Sequence, residues 1–211
     1  LGVTAPEFDI LIHKENGVFR ASNCKVNAAV FRSRSRDGED GGQEEFLELI
    51  LNIIGISESV DTAWPSPEPA LAVTAAFLPY MHWEGLYSVG GADTPFMNFM
   101  LTVNNMLKPL YRNSLTPTCM RSRGRMINLK TENPFTVGTL ADAISMYSTS
   151  KSATLTFTNA GLSTVFSFPA LRNMYETPSI QGKDEIPLTL DMEATATASD
   201  NEMSVTNDST P

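Results

Sequence analysis

Histidine and cysteine are scarce in this chain. Two cysteines in 211 residues, Cys24 and Cys119, cannot build a disulfide framework. The expectation is a pair of reduced, half-buried thiols. Two histidines, His13 and His82, cannot make a His-rich metal site, and neither stands at a ligand-like spacing from cysteine or carboxylate. No apolar run approaches the roughly 20 residues that a membrane span needs, so no transmembrane helix and no membrane partner are expected. The first residues carry neither a basic segment nor a signal-type apolar block. Position 1 is leucine, so the numbered chain is expected to be processed or to be a fragment of a longer product. Catalytic signatures are missing too. There is no phosphate-binding glycine loop, no Gly-x-Ser-x-Gly elbow and no His-Glu-x-x-His. His82-Trp83-Glu84 comes nearest to chemistry, and a lone histidine beside an aromatic is read as packed or hydrogen-bonded. No enzymatic activity and no cofactor are expected.

What is present is the composition of an ordinary folded protein, 42% hydrophobic and 18% charged. That suits one large β domain over residues 1–211. The net charge is −9, with the acid excess at the two ends of the chain. Residues 1–66 hold 6 basic and 11 acidic groups, residues 67–150 hold 6 and 5, and residues 151–211 hold 3 and 8. Such a balance repels free nucleic acid over a Debye length of about 8–10 Å. It argues against a diffusing DNA-binding protein, but not against a surface that DNA slides past.

Period-two alternation dominates the pattern. In Asp184–Ala198, Ile186, Leu188, Leu190, Met192, Ala194, Ala196 and Ala198 share one face, and Pro187, Thr189, Asp191, Glu193, Thr195 and Thr197 share the other. That predicts a long strand with one buried face, whose proline-bearing end lies at a sheet edge. Ala153, Leu155 and Phe157 alternate with threonines. After Asn159-Ala160-Gly161 the alternation resumes at Leu162, Thr164, Phe166 and Phe168, which predicts a hairpin. Similar runs occur at Leu71–Phe77 and Met97–Val103, and Phe8–His13 and Phe19–Phe31 are strand-like.

Two segments break the rhythm and are read as helices. Residues 43–54 gather seven large apolar side chains behind Glu44 and Glu45 and before Gly55, which resemble helix start and stop signals. Residues 139–148 place Leu140, Ala143, Ile144 and Tyr147 at helical spacing, with Thr139 as the expected N-cap. Residues 32–42 read as a charged, glycine-rich loop, Ala63–Pro69 as a proline-rich one, and residues 201–211 as a fraying end. The predicted class is mainly β, a sandwich or barrel with two flanking helices.

Charge patterning supplies the candidate contact residues. Arg32, Arg34 and Arg36, and again Arg121, Arg123 and Arg125, recur at every second position, so an extended strand would project each set to one side. A solvated face, phosphate binding and pairing with carboxylates of a neighbouring subunit are all open, the last favoured over nucleic acid by the acid excess. Asp37, Glu39, Asp40, Glu44 and Glu45 lie nearby. Asp191 and Glu193, two residues apart on a wet strand face, read as a solvated acidic stripe rather than an acid/base pair.

The order of segments from Phe96 onward resembles that of tail tube (major tail) proteins of long-tailed, non-contractile bacteriophages. Four stretches carry the likeness: Phe99–Leu107, ending in an Asn-rich turn; the basic strand Met120–Lys130, leading through Pro134–Val137 into the short helix; the Thr/Phe-rich hairpin Ala153–Phe168 with Pro169–Tyr175; and Asp184–Thr197, followed by a short strand at Glu202–Asn207. The resemblance implies a β-sandwich flanked by a helix, with six copies per ring and rings stacked into a tube. Strands of neighbouring copies would complete an inner sheet around an acidic channel for genomic DNA, and other tail proteins would hold the tube ends. The setting would be the virion tail, with assembly in the host cytoplasm. Arg32, Arg34, Arg36, Asp37, Glu39 and Asp40 would then form an inter-ring loop, and Asp191 and Glu193 would face the lumen. Rival readings are a carbohydrate- or receptor-binding sandwich displaying Trp64, Trp83, Tyr80 and Tyr87, and a decoration or tail-terminator protein.

Overall fold

The computed structural model describes residues 6–14, 17–34, 46–61, 79–174 and 187–208. In chain order the strands are β1 (Phe8–Lys14), β2 (Gly17–Arg34), β3 (Glu48–Ile54), β4 (Ser57–Asp61), β5 (Gly85–Val89), β6 (Ala92–Asp93), β7 (Asn98–Asn104), β8 (Leu107–Leu110), β9 (Cys119–Ser122) and β10 (Met126–Pro134). One helix follows, α1 (Val137–Ser148), then β11 (Lys151–Asn159), β12 (Leu162–Asn173), β13 (Pro187–Ala194) and β14 (Ser204–Asp208). The chain is mainly β, and its defined ladders are antiparallel. The backbone groups into two compact units. The alternating run Leu71–Phe77 lies outside the described residues.

The larger unit takes residues 30–49, 78–103 and 126–211. Its strands run in the order β2, β7, β10, β13, β12, β11, β5, β6, with β14 on β12. Alternation in the sequence becomes alternation in burial: Leu188, Leu190, Met192 and Ala194 of β13 point inward, as do Ala153, Leu155 and Phe157 of β11. Inward residues from β5, β7, β10, β11, β12 and β13 join one core cluster, so this sheet wraps around its own interior. Among the buried polar groups there, Asn128 Oδ1 has no hydrogen-bond partner in a described residue, whereas the Asn133 amide is paired on both sides. Asn133 donates to Pro95 O at 2.8 Å and accepts from Thr131 Oγ1 at 2.7 Å. Burial, with the negative Asp142 as a lesser cause, pushes the Tyr87 phenol well up from its ordinary range.

The β11–β12 hairpin closes through a two-residue loop, Asn159 facing Leu162. Ala160 and Gly161 both adopt positive φ, 49° and 86°, the signature of a type I′ turn that matches strand twist. Glycine is at home there, but alanine is strained by about 1–2 kcal/mol. Ala160→Asn is therefore expected to stabilise the protein by about 0.5–1 kcal/mol, read as a thermal midpoint raised by roughly 2–4 °C. A lowered midpoint would contradict this turn geometry.

Helix α1 begins one turn earlier than its sequence suggests. Thr136, not Thr139, is the N-cap: Thr139 N–H donates to Thr136 Oγ1 at 3.1 Å and Thr136 N–H to Thr139 Oγ1 at 2.9 Å. Thr139 thus closes a reciprocal box from the third helical position. Its hydroxyl also reaches Pro134 O at 2.9 Å, which explains why it is buried. The inward face is Thr139, Ala143 and Met146, whereas Ile144 and Tyr147 are exposed. Asn173 of β12 donates to Ala143 O at 3.3 Å, tying the helix to the sheet.

The smaller unit takes residues 1–29, 50–77 and 104–125. There β2 pairs β1 on one side and β3 and β4 on the other. A bulge between Phe8 and Ile10 turns Asp9 to accept from Asn23 N–H at 3.1 Å, with Asn23 at φ 53°. Buried Lys25 is neutralised by Glu7 at 2.9 Å. Cys24 is buried, and both cysteines are thiols. A separate two-stranded ribbon pairs β8 with β9.

Three expectations need correction here. The second helix does not form: residues 48–54 are strand β3, paired to β2, and residues 43–45 lie outside the described residues. Ladder bonds to β2 outweigh local helix signals, and Ile50, Ile53 and Ile54 suit a strand. Within the end expected to fray, residues 201–211, Ser204–Asp208 forms β14 and pairs Ser163–Ser167, the short strand that the resemblance implied at Glu202–Asn207, and residues 209–211 lie outside the described residues. The basic strand Met120–Lys130 is two strands, β9 and β10, broken at Arg123–Arg125. Pro187 opens β13 opposite Pro134, a position where neither residue has an N–H to give.

Candidate assembly surfaces

The outward face of β7, β10 and β13 is set by the same alternation that builds the core. Each inward Leu or Ile leaves its neighbours pointing away: Asn98, Met100 and Thr102 on β7, Asn128, Lys130 and Glu132 on β10, and Thr189, Asp191 and Glu193 on β13. Register places Lys130 opposite Asp191, Asn128 opposite Glu193 and Glu132 opposite Thr189. Glu132 accepts a hydrogen bond from Asn98 Nδ2. On the next strand Arg172 faces Glu193. These three strands thus present three carboxylates against one ammonium, among amides and hydroxyls. Asp191 and Glu193 share this face as expected and are half-buried. The sequence reading missed Glu132, whose alternation within β10 was a sufficient signal.

The proposed loop residues are placed only in part. Arg32 and Arg34 belong to β2, so the strand runs further than the loop boundary at residue 32 allowed. Arg32 Nε meets Glu48 Oε2 at 2.6 Å, an ion pair within the chain. Arg36, Asp37, Glu39 and Asp40 lie outside the described residues.

Two groups of exposed apolar side chains, among others, lie on β3 and on α1. On β3, Leu49, Ile50 and Leu51 are 49%, 41% and 46% exposed. Consecutive strand residues point to opposite faces, so β3 is wet and apolar on both sides. On α1, Val137 and Ile144 are 87% and 58% exposed, with Tyr147 and Phe135 beside them in sequence. Contiguous exposed apolar side chains on regular elements make β3 and α1 candidate contact surfaces. Trp83 is 67% exposed, but Tyr87 is buried and donates to Met192 Sδ at 3.5 Å, so the aromatic display of a ligand-binding sandwich is incomplete. Trp64 lies outside the described residues.

His82, the nearest approach to a reactive group, is buried against Phe96 and lies 3.0 Å from Ser33 Oγ through Nδ1, a packed histidine. A recess lined by Ser152, Thr154, Ser167, Asp200 and Ser204 holds hydroxyls and one carboxylate without a histidine or lysine to activate them. Among the described residues no cluster of His, Cys, Asp or Glu is arranged to hold a metal ion.

The described residues thus define the chain as a mainly β protein, a curled antiparallel sheet with one capped helix packed on it. A family model described as phage tail tube protein matches residues 5–194, and the chain belongs to that family. The family is structural, and its members are components of the virion tail. No curated protein matches the sequence.

Proposed function

We propose that this chain is the repeating subunit of the tube itself, forming six-membered rings that stack and enclose a channel for genomic DNA. The observation that carries this is the outward face of β7, β10 and β13, rich in amides, hydroxyls and the carboxylates of Glu132, Asp191 and Glu193. Lined up around a lumen, it would repel phosphate and offer no cation-rich grip. The apolar β3 strand and the outward stripe of α1 are surfaces that association would bury. Strand edges left open in one copy would be closed by the next.

In this reading Arg34, Arg36, Asp37, Glu39 and Asp40 reach toward the adjacent ring, and a head-to-tail contact of that kind extends without closing. Other tail proteins would terminate the tube, and assembly would take place in the host cytoplasm. No chemistry and no cofactor are needed. Electron microscopy of the purified protein, concentrated at moderate salt, tests the reading: hollow tubes with a regular axial repeat are expected, and a protein that never forms rings or tubes would contradict it.

A further inference from the structure

The charge of this chain is segregated. From residue 94 to residue 131 there are six basic side chains and no acidic one, while all other residues carry nine basic and 24 acidic groups. Five of the six cations, Lys108, Arg112, Arg121, Arg123 and Arg125, lie in or beside the β8–β9 ribbon, and all five are exposed. None forms an ion pair with a described residue, although Arg20, Lys25, Arg32 and Lys151 all do.

The ribbon also holds two cations face to face. The register sets Lys108 directly opposite Arg121, an arrangement that destabilises a sheet unless an anion lies over it. The backbone beneath is fixed. Ser122 Oγ donates to Asn105 O at 2.8 Å and is 2.9 Å from Gly124 O, and Arg123 N–H donates to Met106 O at 3.3 Å. Arginine forks on a fixed backbone suit carboxylates or phosphates.

We infer that the β8–β9 ribbon docks on a second copy of this chain, at the acidic segment that joins β13 to β14. Between residues 187 and 208 there are five acidic side chains and no basic one. Two of them, Asp191 and Glu193, already face Lys130 and Arg172 across their ladders. Asp200 and Glu202 meet no such cation among the described residues, and the hydroxyls of Ser199 and Thr197 orient Asp200 at 2.8 and 3.1 Å. Ribbon against acidic segment attracts, and where that contact repeats in one direction it is head-to-tail, the arrangement that propagates. Duplex DNA is the other anion such a ribbon could meet, and its retention by the ribbon would overturn the inference.

The inference rests on the tube reading, and the test separates the two. Assembly is followed by light scattering and electron microscopy for wild type, for Arg121→Glu/Arg123→Glu, for the milder Arg121→Gln/Arg123→Gln, and for a charge-swapped chain that adds Asp200→Lys/Glu202→Lys to the glutamate pair. The glutamate variant is expected to raise the critical concentration at least about tenfold with unchanged circular dichroism. The glutamine variant should fall between, and the swapped chain should recover assembly. Tubes from wild type and equally good tubes from the glutamate variant would overturn this contact while the tube reading stands. A swapped chain that stays dispersed would overturn the pairing with the acidic segment. Labelled duplex DNA retained by wild type and released by the glutamate variant would make the ribbon a phosphate site and overturn the inference. Wild type that remains monomeric at every salt concentration would overturn both.

Discussion

Replacing Phe157 by alanine is expected to lower the unfolding free energy by about 3–5 kcal/mol, the largest single effect anticipated in the folded subunit. Phe157 has no exposed surface and sits at the centre of an aromatic group, its ring 5.5 Å from Phe99 and 6.1 Å from Tyr80. The space for it is built across the ladder. Gly85 is its partner on β5, and a Cβ at Gly85 would come within 2.8 Å of Phe157 Cε1 and 2.9 Å of Phe96 Cζ. Truncation removes the ring's burial energy and leaves a void that the surrounding strands cannot collapse into. In thermal unfolding the midpoint should fall by roughly 10 °C. Phe157→Leu should cost clearly less, since most of the volume returns. A midpoint shift within experimental error for the alanine variant would mean that the sheet is not wrapped around this group.

Ile50→Glu together with Leu51→Glu is expected to do the reverse: little to the subunit, and loss of the tube. Both side chains are nearly half exposed, and they point to opposite faces of β3. Their replacement removes only the covered half of each side chain from the monomer, and its unfolding free energy should move by no more than about 1–2 kcal/mol. If association buries both faces, each introduced carboxylate must be desolvated at the contact, a penalty of several kcal/mol per charge. Polymer yield by sedimentation should then drop to background while circular dichroism is unchanged. Normal tubes from this variant would remove β3 from the interface.

Much of the fold can be read from the residues. The β11–β12 hairpin follows from Thr/Phe alternation around Asn159-Ala160-Gly161, and β13 from Leu188, Leu190 and Met192, because one dry face and one wet face leave a period of two. The misreadings share a physical origin. Strand β3 is apolar without alternation, since both its faces are exposed and apolar, and with acidic residues before it and Gly55 after it that run imitates a helix. Helix α1 shows Leu140, Ile144 and Tyr147 more loudly than its true inner face of Thr139, Ala143 and Met146. In the proposed assembly those outer residues would be buried by neighbours, and the sequence would then record the dryness of the tube rather than that of the free subunit. The outward acids Asp191 and Glu193 were legible for the same reason that β13 was. Their cross-strand cations Lys130 and Arg172 were not, because register between distant strands is written in no local pattern.

A reconstruction by cryo-electron microscopy of tubes grown from the wild-type protein tests the central claim most directly. The account predicts a hollow tube whose inner wall is the outward face of β7, β10 and β13, with Glu132, Asp191 and Glu193 at the lumen and β3 and α1 buried between copies. A tube whose lumen is lined by other strands, with this face in contact with neighbours or turned to the outside, would contradict it.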